Sequence, residues 1–359
     1  PGYDPTDTEV AAMVQICYHL DGIPLAIELA AALLPECIVE QIAARLDDRF
    51  RLLTRGSRVL RPRHQTLRAA MDWSYALLAE SEQAVLRRLS VCAGGWYLEA
   101  AEALCVDDGM AREEVAPLLA RLVAKSLVVV GGGPDAGSGP ERYRMLETVR
   151  QDAREKLSAG EAASTQERHW DWCMALADRA VDAFAGSEQG SWLDRLELEH
   201  DNLRAALSWS AASGTRDGLR LAAALWRLWY VRGHLSEGRH WLDQFLARQT
   251  VEPTAQGEGA GETLQESPRA KALTGAGNLA FLQGDLARAA ALLHDCLILY
   301  RSYGNTLGIA AALHNLANVH YRQGDLDRAV ALLEEALRLQ RQLDRKDLLA
   351  AFLNSLGNA

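Results

Sequence analysis

No stretch of this chain approaches the roughly 20 consecutive apolar residues a helix needs to cross a bilayer, so no transmembrane span is expected. The opening residues, PGYDPTDTEV, lack the charged and apolar regions of a signal peptide. CxxC pairs are missing. The six cysteines (Cys17, Cys37, Cys92, Cys105, Cys173 and Cys296) are scattered, which argues against a disulfide frame or a zinc ribbon and for reduced core thiols in a cytoplasmic protein. A GxxxxGK[ST] phosphate loop, a GxSxG elbow and an HExxH helix are also absent, and no catalytic constellation can be assembled. His294, His314 and His320 form no i, i+4 pair beside a carboxylate set, so no metal ligands are expected. Excess positive charge is lacking too: the net charge of -10 argues against a general nucleic-acid binder.

What is present is a globular composition, 49% apolar and 24% charged, over 359 residues, enough for two or three domains. Residues 1–54 read as three helices. Val10, Met13, Val14, Ile16 and Cys17 form the stripe of the first. In "LDGIPLAIELAA", Gly22 suits a left-handed helix end and Pro24 the first turn of the next helix. That corner leaves free backbone amides, which serve a polar or anionic ligand or merely a helix–helix turn. Charge then reverses. Eight arginines (45, 49, 51, 55, 58, 61, 63 and 68) face only Asp47 and Asp48, and residues 55–65 form a basic linker. Arg55, Arg58, Arg61 and Arg63 are candidates for a phosphate-facing surface; the alternative is a solvated linker paired with acidic neighbours. No aromatic residue lies between Arg51 and Arg68, so a base-stacking platform is not expected.

Residues 66–158 pattern as helices near Leu67–Leu78, Glu82–Leu89, Leu98–Leu104 and Glu113–Lys125. A small β-hairpin, "SLVVV" with "RYRM", and a helix at Glu147–Leu157 follow. This is a winged-helix arrangement. The helix before the hairpin begins with Glu113 and Glu114 and carries only Arg121 and Lys125, with Leu118, Leu119, Leu122 and Val123 expected in the core. A helix reading DNA needs more cations than that. Residues 159–249 are helical and hold seven of the nine tryptophans (Trp170, Trp172, Trp192, Trp209, Trp226, Trp229 and Trp241), which suit packing between stacked helices or a binding surface. Residues 250–268 form an acidic, glycine-containing loop.

The last block, 269–359, repeats itself. "FLQGDLARAAALLHDCL" from Phe281 and "YRQGDLDRAVALLEEAL" from Tyr321 are offset by 40 residues, and Leu273, Leu313 and Leu353 keep the register. Small residues at Gly277 and Ala317 allow close packing; Gly284 and Gly324 turn the chain; Ala289, Ala329, Leu293, Leu333, Cys296 and Ala336 continue the buried face. One such pair cannot bury its own apolar face, so the pairs must stack as an α-solenoid. A third copy is cut by the end of the chain, and the whole reads as a fragment of something larger.

These repeats resemble tetratricopeptide repeats of a 40-residue form. "LDGIPLAIELAA" resembles the GLPLA motif of the signal-transduction ATPases with numerous domains (STAND, NB-ARC type). "RPRHQTLRAAMDWSYALL", "LRRLSVCAGGWYLEAAEALC" and "LLARLVAKSLVV…RYRMLETVRQDAREKL" are similar to the winged-helix region of bacterial members, including LuxR-type and AfsR-type regulators. The resemblance implies a mainly α fold: the helical end of a nucleotide-binding module, a winged helix, a degenerate TPR-like linker, and a TPR-like solenoid. It implies that Pro24 lies against adenine, with Gly22 and Leu25 shaping the corner. It places Met145, Leu146 and Glu147 at the family's Met-His-Asp motif. Leucine cannot donate to a phosphate, and Arg144 is the residue beside it that could substitute. ATP or ADP with Mg²⁺ is implied only in company with an upstream ATPase core. The expected partners are that core and a protein or small-molecule inducer on the repeats, with DNA and membrane not expected and no catalysis in this chain. The alternatives are a DNA-binding winged-helix transcription factor and a repeat scaffold with no nucleotide role.

Overall fold

The computed structural model describes residues 5–19, 34, 38–44, 75, 78–107, 109–125, 127–131, 141–184, 186–214, 217–248 and 267–343. It divides into two compact units, Pro1–Cys173 and Met174–Ala359. Among the described residues no helix is long and apolar enough to cross a membrane.

The first unit opens with α1 (Asp7–His19) and α2 (Val39–Ala44), which pack on each other. The apolar stripe expected on α1 is corrected here. Ala12 and Ile16 are buried, while Val10, Val14 and Cys17 are exposed, so Cys17 is not a core thiol. The other cysteines within the described residues, at 92, 105, 173 and 296, are buried thiols outside any disulfide. Next come α3 (Glu80–Leu89), β1 (Trp96–Tyr97), α4 (Leu98–Cys105), α5 (Arg112–Ala124), β2 (Val129–Gly131), β3 (Arg142–Arg144) and α6 (Glu147–Glu155). The expected two-stranded hairpin is a three-stranded antiparallel sheet in the order β1-β3-β2. Two residues are too short a run to show alternation, so Trp96–Tyr97 gave no strand signal. Trp96 pairs with Tyr143 and Tyr97 with Arg142, while Val129 pairs with Arg144. Gly95 is required for this closure: a Cβ there would stand 2.7 Å from the Tyr143 carbonyl oxygen. The core comprises Val85, Leu86, Leu89, Trp96, Leu104, Val115, Leu119 and Leu122, each burying about 1.5–3 kcal/mol worth of side chain.

The helix α7 (Ala159–Ala183) contains the boundary between the units. The second unit continues with α8 (Gln189–Leu198), α9 (His200–Ser213), α10 (Gly218–Arg232), α11 (Leu235–Arg248), α12 (Pro268–Leu282), α13 (Leu286–Ser302), α14 (Thr306–Gln323) and α15 (Leu326–Leu343). From α10 onward each helix packs on its sequence neighbour, and α12 also packs on α10. The repeat logic is visible in the contacts. Gly284 and Gly324 take φ of 79° and 82°, the left-handed region that glycine enters without steric cost. Ala289, Ala329, Leu293, Cys296 and Ala336 are fully buried, and Leu333 nearly so. Gly277 lies so close to α13 that a Cβ would meet Leu293 Cγ at 2.7 Å. The α10–α11 pair follows the same scheme: Gly233 turns the chain at φ 83°, and Gly238 and Leu242 occupy the buried places held by Ala289 and Leu293. Ion pairs such as Arg239–Asp285 at 2.9 Å, Arg288–Asp243 at 3.0 Å and Arg301–Glu335 at 2.8 Å link consecutive pairs. Being surface pairs screened by solvent, they add little, so the apolar faces hold the stack. Of the seven tryptophans, Trp170, Trp172 and Trp229 are buried, and Trp192, Trp209, Trp226 and Trp241 are half-buried. The third repeat copy falls outside the described residues.

Candidate functional site

Two surfaces are candidates, one in each unit. In the first, α5 occupies the position of a recognition helix, between α4 and the wing strands. Val115, Leu118, Leu119 and Leu122 face inward, and Val123, expected in the core, is half-buried. The outward residues are Arg112, Glu113, Glu114, Ala116, Pro117, Ala120, Arg121 and Ala124. This face carries Arg112 beside Glu113 and Glu114 at its start, small apolar residues along its middle and Arg121 near its end, and Arg112 pairs with Glu102 at 3.5 Å. Lys125, the cation that follows, pairs with Glu82 of α3.

Glu82 ties this helix pair together. Its carboxylate accepts the Ala79 N–H at 2.9 Å, one of the free amides of the first turn, and binds Lys125. The hydrogen bond from Lys125 leads in holding its carboxyl below the usual range, against the opposing effect of burial. A carboxyl depressed in the folded state stabilises fully above the unfolded value of about 4.3, and that contribution is lost as pH falls through the folded value. Glu82→Gln is therefore expected to cost about 1–3 kcal/mol at pH 7 and to flatten the loss of stability below pH about 4, measured by urea unfolding across pH. An acid limb unchanged by the substitution would count against this role for Glu82.

The basic end of α3 is likewise internal. Arg87 donates to both oxygens of Glu161 at 3.0 and 3.2 Å and to Tyr75 Oη at 2.6 Å. Arg88 pairs with Asp107 and donates to the Cys105 carbonyl at 2.5 Å. Burial works to raise the Asp107 carboxyl, but the Gly109 N–H, Arg88 and Arg168 bring it below its ordinary value. An open cleft of about 630 Å³ beside this pair is lined by Glu80, Ser81, Ala84, Arg88, Asp107, Gly109 and Met110. Its one cation is committed to Asp107, so it offers little to an anion.

Of the residues carried over by resemblance, Gly22, Pro24 and Leu25 lie outside the described residues, as do Arg55, Arg58, Arg61 and Arg63 of the basic segment. Arg144 and Leu146 are described, and they lie together at the end of the wing. Arg144 is exposed on β3, and Leu146, half-buried, caps α6 through its carbonyl, which accepts the Arg150 N–H at 2.9 Å. Glu147 is held by Arg150 through two bonds of 2.6 and 2.7 Å, and Arg150 reaches the Ser90 carbonyl at 3.2 Å. Arg142 is internal to the sheet, lying over the Tyr97 ring at 5.2 Å and donating to the Gly95 carbonyl. Arg144 is thus the wing cation left facing outward.

In the second unit the repeats expose Leu282, Ile298, Tyr303, Tyr321 and Leu326. An aromatic and aliphatic set on a repeat array suits recognition of another molecule. A further group, Glu197, His200 and His234, comes together from α8, α9 and the α10–α11 turn; the scattered histidines carried no spacing signal that could announce it.

With this geometry in place, comparison with known families gives one match in each unit. Residues 78–158 match the winged helix-turn-helix domain. Residues 268–342 match the tetratricopeptide repeat. A Mycobacterium tuberculosis protein that carries the provisional name of an HTH-type transcriptional regulator, Rv0890c, is 43% identical over 250 residues, 69% of this chain. The chain spans 28% of that relative's length. Another M. tuberculosis protein, Rv0894, uncharacterized, is 44% identical over 158 residues, 43% of this chain and 39% of its own. A crystal structure of a STAND protein with a tetratricopeptide repeat sensor, PH0952 from Pyrococcus horikoshii, covers 93% of this chain and 56% of its own at 14% identity and a TM-score of 0.34. The fold assignment rests on the two family models.

Proposed function

We propose that this chain is the regulatory and sensor part of a STAND-type signalling ATPase or transcriptional regulator. The winged helix couples the nucleotide state of an upstream ATPase core to occupation of the repeat surface by a protein or small-molecule inducer. The chain itself performs no catalysis. The observation that carries this reading is the outward face of α5, where Glu113 and Glu114 offset Arg112 and Arg121, Arg112 pairs with Glu102, and Ala116, Pro117 and Ala120 between them suit contact with protein better than with phosphate. The 43% identity to a protein named as a regulator supports the same role. Coupling of this kind requires the inducer to bind the two states with different affinity.

The family match and the relative's name favour a second reading, in which the winged helix binds duplex DNA. Fluorescence anisotropy of a labelled duplex across salt separates the two. A DNA-bound wing gives an affinity falling with salt at a log–log slope of about -0.9 per phosphate contacted, weakened by Arg121→Glu and Arg144→Glu. The regulatory reading predicts no binding beyond the non-specific range, about 10⁻⁴ to 10⁻⁶ M at physiological salt, and no ATP turnover by the isolated chain. In the longer protein it predicts weaker ATP binding on Arg144→Ala, read by calorimetry. ATP hydrolysis by these 359 residues alone would rule it out.

A further inference from the structure

Three helix pairs of the second unit share one turn: Gly233-His234-Leu235, Gly284-Asp285-Leu286 and Gly324-Asp325-Leu326. Their glycines take the same left-handed φ of 83°, 79° and 82°. In the latter two the aspartate accepts the backbone N–H three residues on, from Arg288 at 3.2 Å and Arg328 at 3.3 Å, and so caps its helix. In the first an imidazole stands where that carboxylate stands. Its Nε2 lies 3.0 and 3.2 Å from the two carboxylate oxygens of Glu197, in the last turn of α8.

A second imidazole lies alongside. His200, the first residue of α9, has its ring centroid 4.5 Å from that of His234, at 32°. His200 is 8% exposed, and its Nε2 is buried without a hydrogen bond. Glu237 Oε1 stands 3.3 Å from that atom as an ion-pair partner. Arg204, one turn after His200, grips both Glu237 oxygens at 2.8 and 2.6 Å. One ligand atom each from Glu197, His200 and His234 therefore falls within 4.8 Å of the others. Two packed imidazoles that served only as partners for carboxylates would each be expected to carry a hydrogen bond. A buried imidazole with no well-formed hydrogen bond at Nε2, grouped with a second imidazole and a carboxylate, is an arrangement that suits a cation.

We propose that Glu197, His200 and His234 bind a divalent transition-metal ion of the zinc class. Two imidazole nitrogens and one carboxylate are the donor set such ions prefer, whereas calcium and magnesium take oxygen. Donors about 2.1 Å from a tetrahedral ion stand about 3.4 Å apart, so the set must draw in from its present spacing of up to 4.8 Å to hold the ion. Three protein ligands leave a fourth position for water or an incoming group. The Glu197 and His234 side chains are 39% and 31% exposed, so the ion exchanges with solvent. Bound there, it joins the end of α8, the start of α9 and the α10–α11 turn. The proposal is independent of the nucleotide and DNA readings.

The test uses the full chain, stripped with EDTA under reducing conditions and titrated with Zn²⁺ against a chromophoric chelator, and separately with Co²⁺. One equivalent of Zn²⁺ is expected to bind, with a visible Co²⁺ spectrum of low coordination number and no thiolate charge-transfer band. His234→Gln and Glu197→Gln should each weaken binding at least 10–100-fold, while His314→Gln changes nothing. Because a variant can fail to fold, imidazole ¹⁵N chemical shifts of the unaltered chain are read as well: the His200 and His234 nitrogens should move on adding Zn²⁺. Absence of stoichiometric binding, a thiolate band, affinity indifferent to both His234→Gln and Glu197→Gln, or unmoved ring nitrogens would each overturn the site.

Discussion

Trp229→Ala is expected to lower the unfolding free energy of the second unit by about 3–5 kcal/mol, the range for deleting a large buried aromatic. The side chain is fully buried. Its Cβ and ring edge stand so close to α11 that a Cβ on Gly238 would lie 2.8–2.9 Å from them, and Leu279 of α12 closes the same space at 2.7 Å. Removing the indole therefore opens a cavity among three helices whose backbones cannot all move inward. Total stabilities of domains run about 5–15 kcal/mol, so the loss is a large share. Trp229→Phe should behave differently. The Trp229 Nε1 is buried without a hydrogen bond, and phenylalanine removes that unmet donor while keeping most of the apolar bulk, so a cost below about 1.5 kcal/mol is expected. Urea unfolding followed by far-ultraviolet circular dichroism measures both. An alanine variant within about 1 kcal/mol of the parent would show that α10 is not held as the geometry requires.

Gly275→Val tests the same packing from the opposite side, by adding bulk. A Cβ at Gly275 would meet Trp226 Cβ at 2.5 Å and Cγ at 2.8 Å. A Cβ travels with its backbone, so no rotamer relieves that contact and α12 must move away from α10. A cost of about 3 kcal/mol or more is expected, at the upper end for overpacked cores. Gly284→Ala is the control. Nothing stands within 4 Å of a Cβ there, and the penalty is that of a left-handed backbone alone, about 1–2 kcal/mol. If the two substitutions cost the same, close approach of α10 and α12 is not what selects glycine at 275.

Both tests probe features that a linear pattern conveys unevenly. The 40-residue offset made the repeat turns and the buried Ala289, Leu293, Ala329 and Leu333 legible, because each helix pair must hide one apolar face against the next and so repeats the same code. The winged helix was legible for the same reason, through helical apolar spacing around a glycine-rich hairpin. Strand β1 was not, since its pairing with β3 is set by partners some 46 residues away rather than by its own two residues. On α1 the stripe failed because two apolar residues, Val10 and Val14, face outward, and periodicity cannot say which apolar face a neighbour will cover.

Motifs also shaped the functional expectation: the winged-helix pattern and the repeats together pointed to a regulatory role. The charges of the winged helix required coordinates. Arg87, Arg88, Arg142 and Arg150 count as cations in the sequence, yet each is bonded to a carboxylate, a carbonyl or a ring within the fold, leaving Arg144 outward on the wing. Likewise Glu197, His200, His234 and Glu237 come from two helix corners and carry no spacing signature. Local pattern reports short-range periodicity, which is why helices, turns and repeats were readable from it. The convergence of side chains from distant positions depends on how the helices stack, and that is settled only when their apolar faces are buried together.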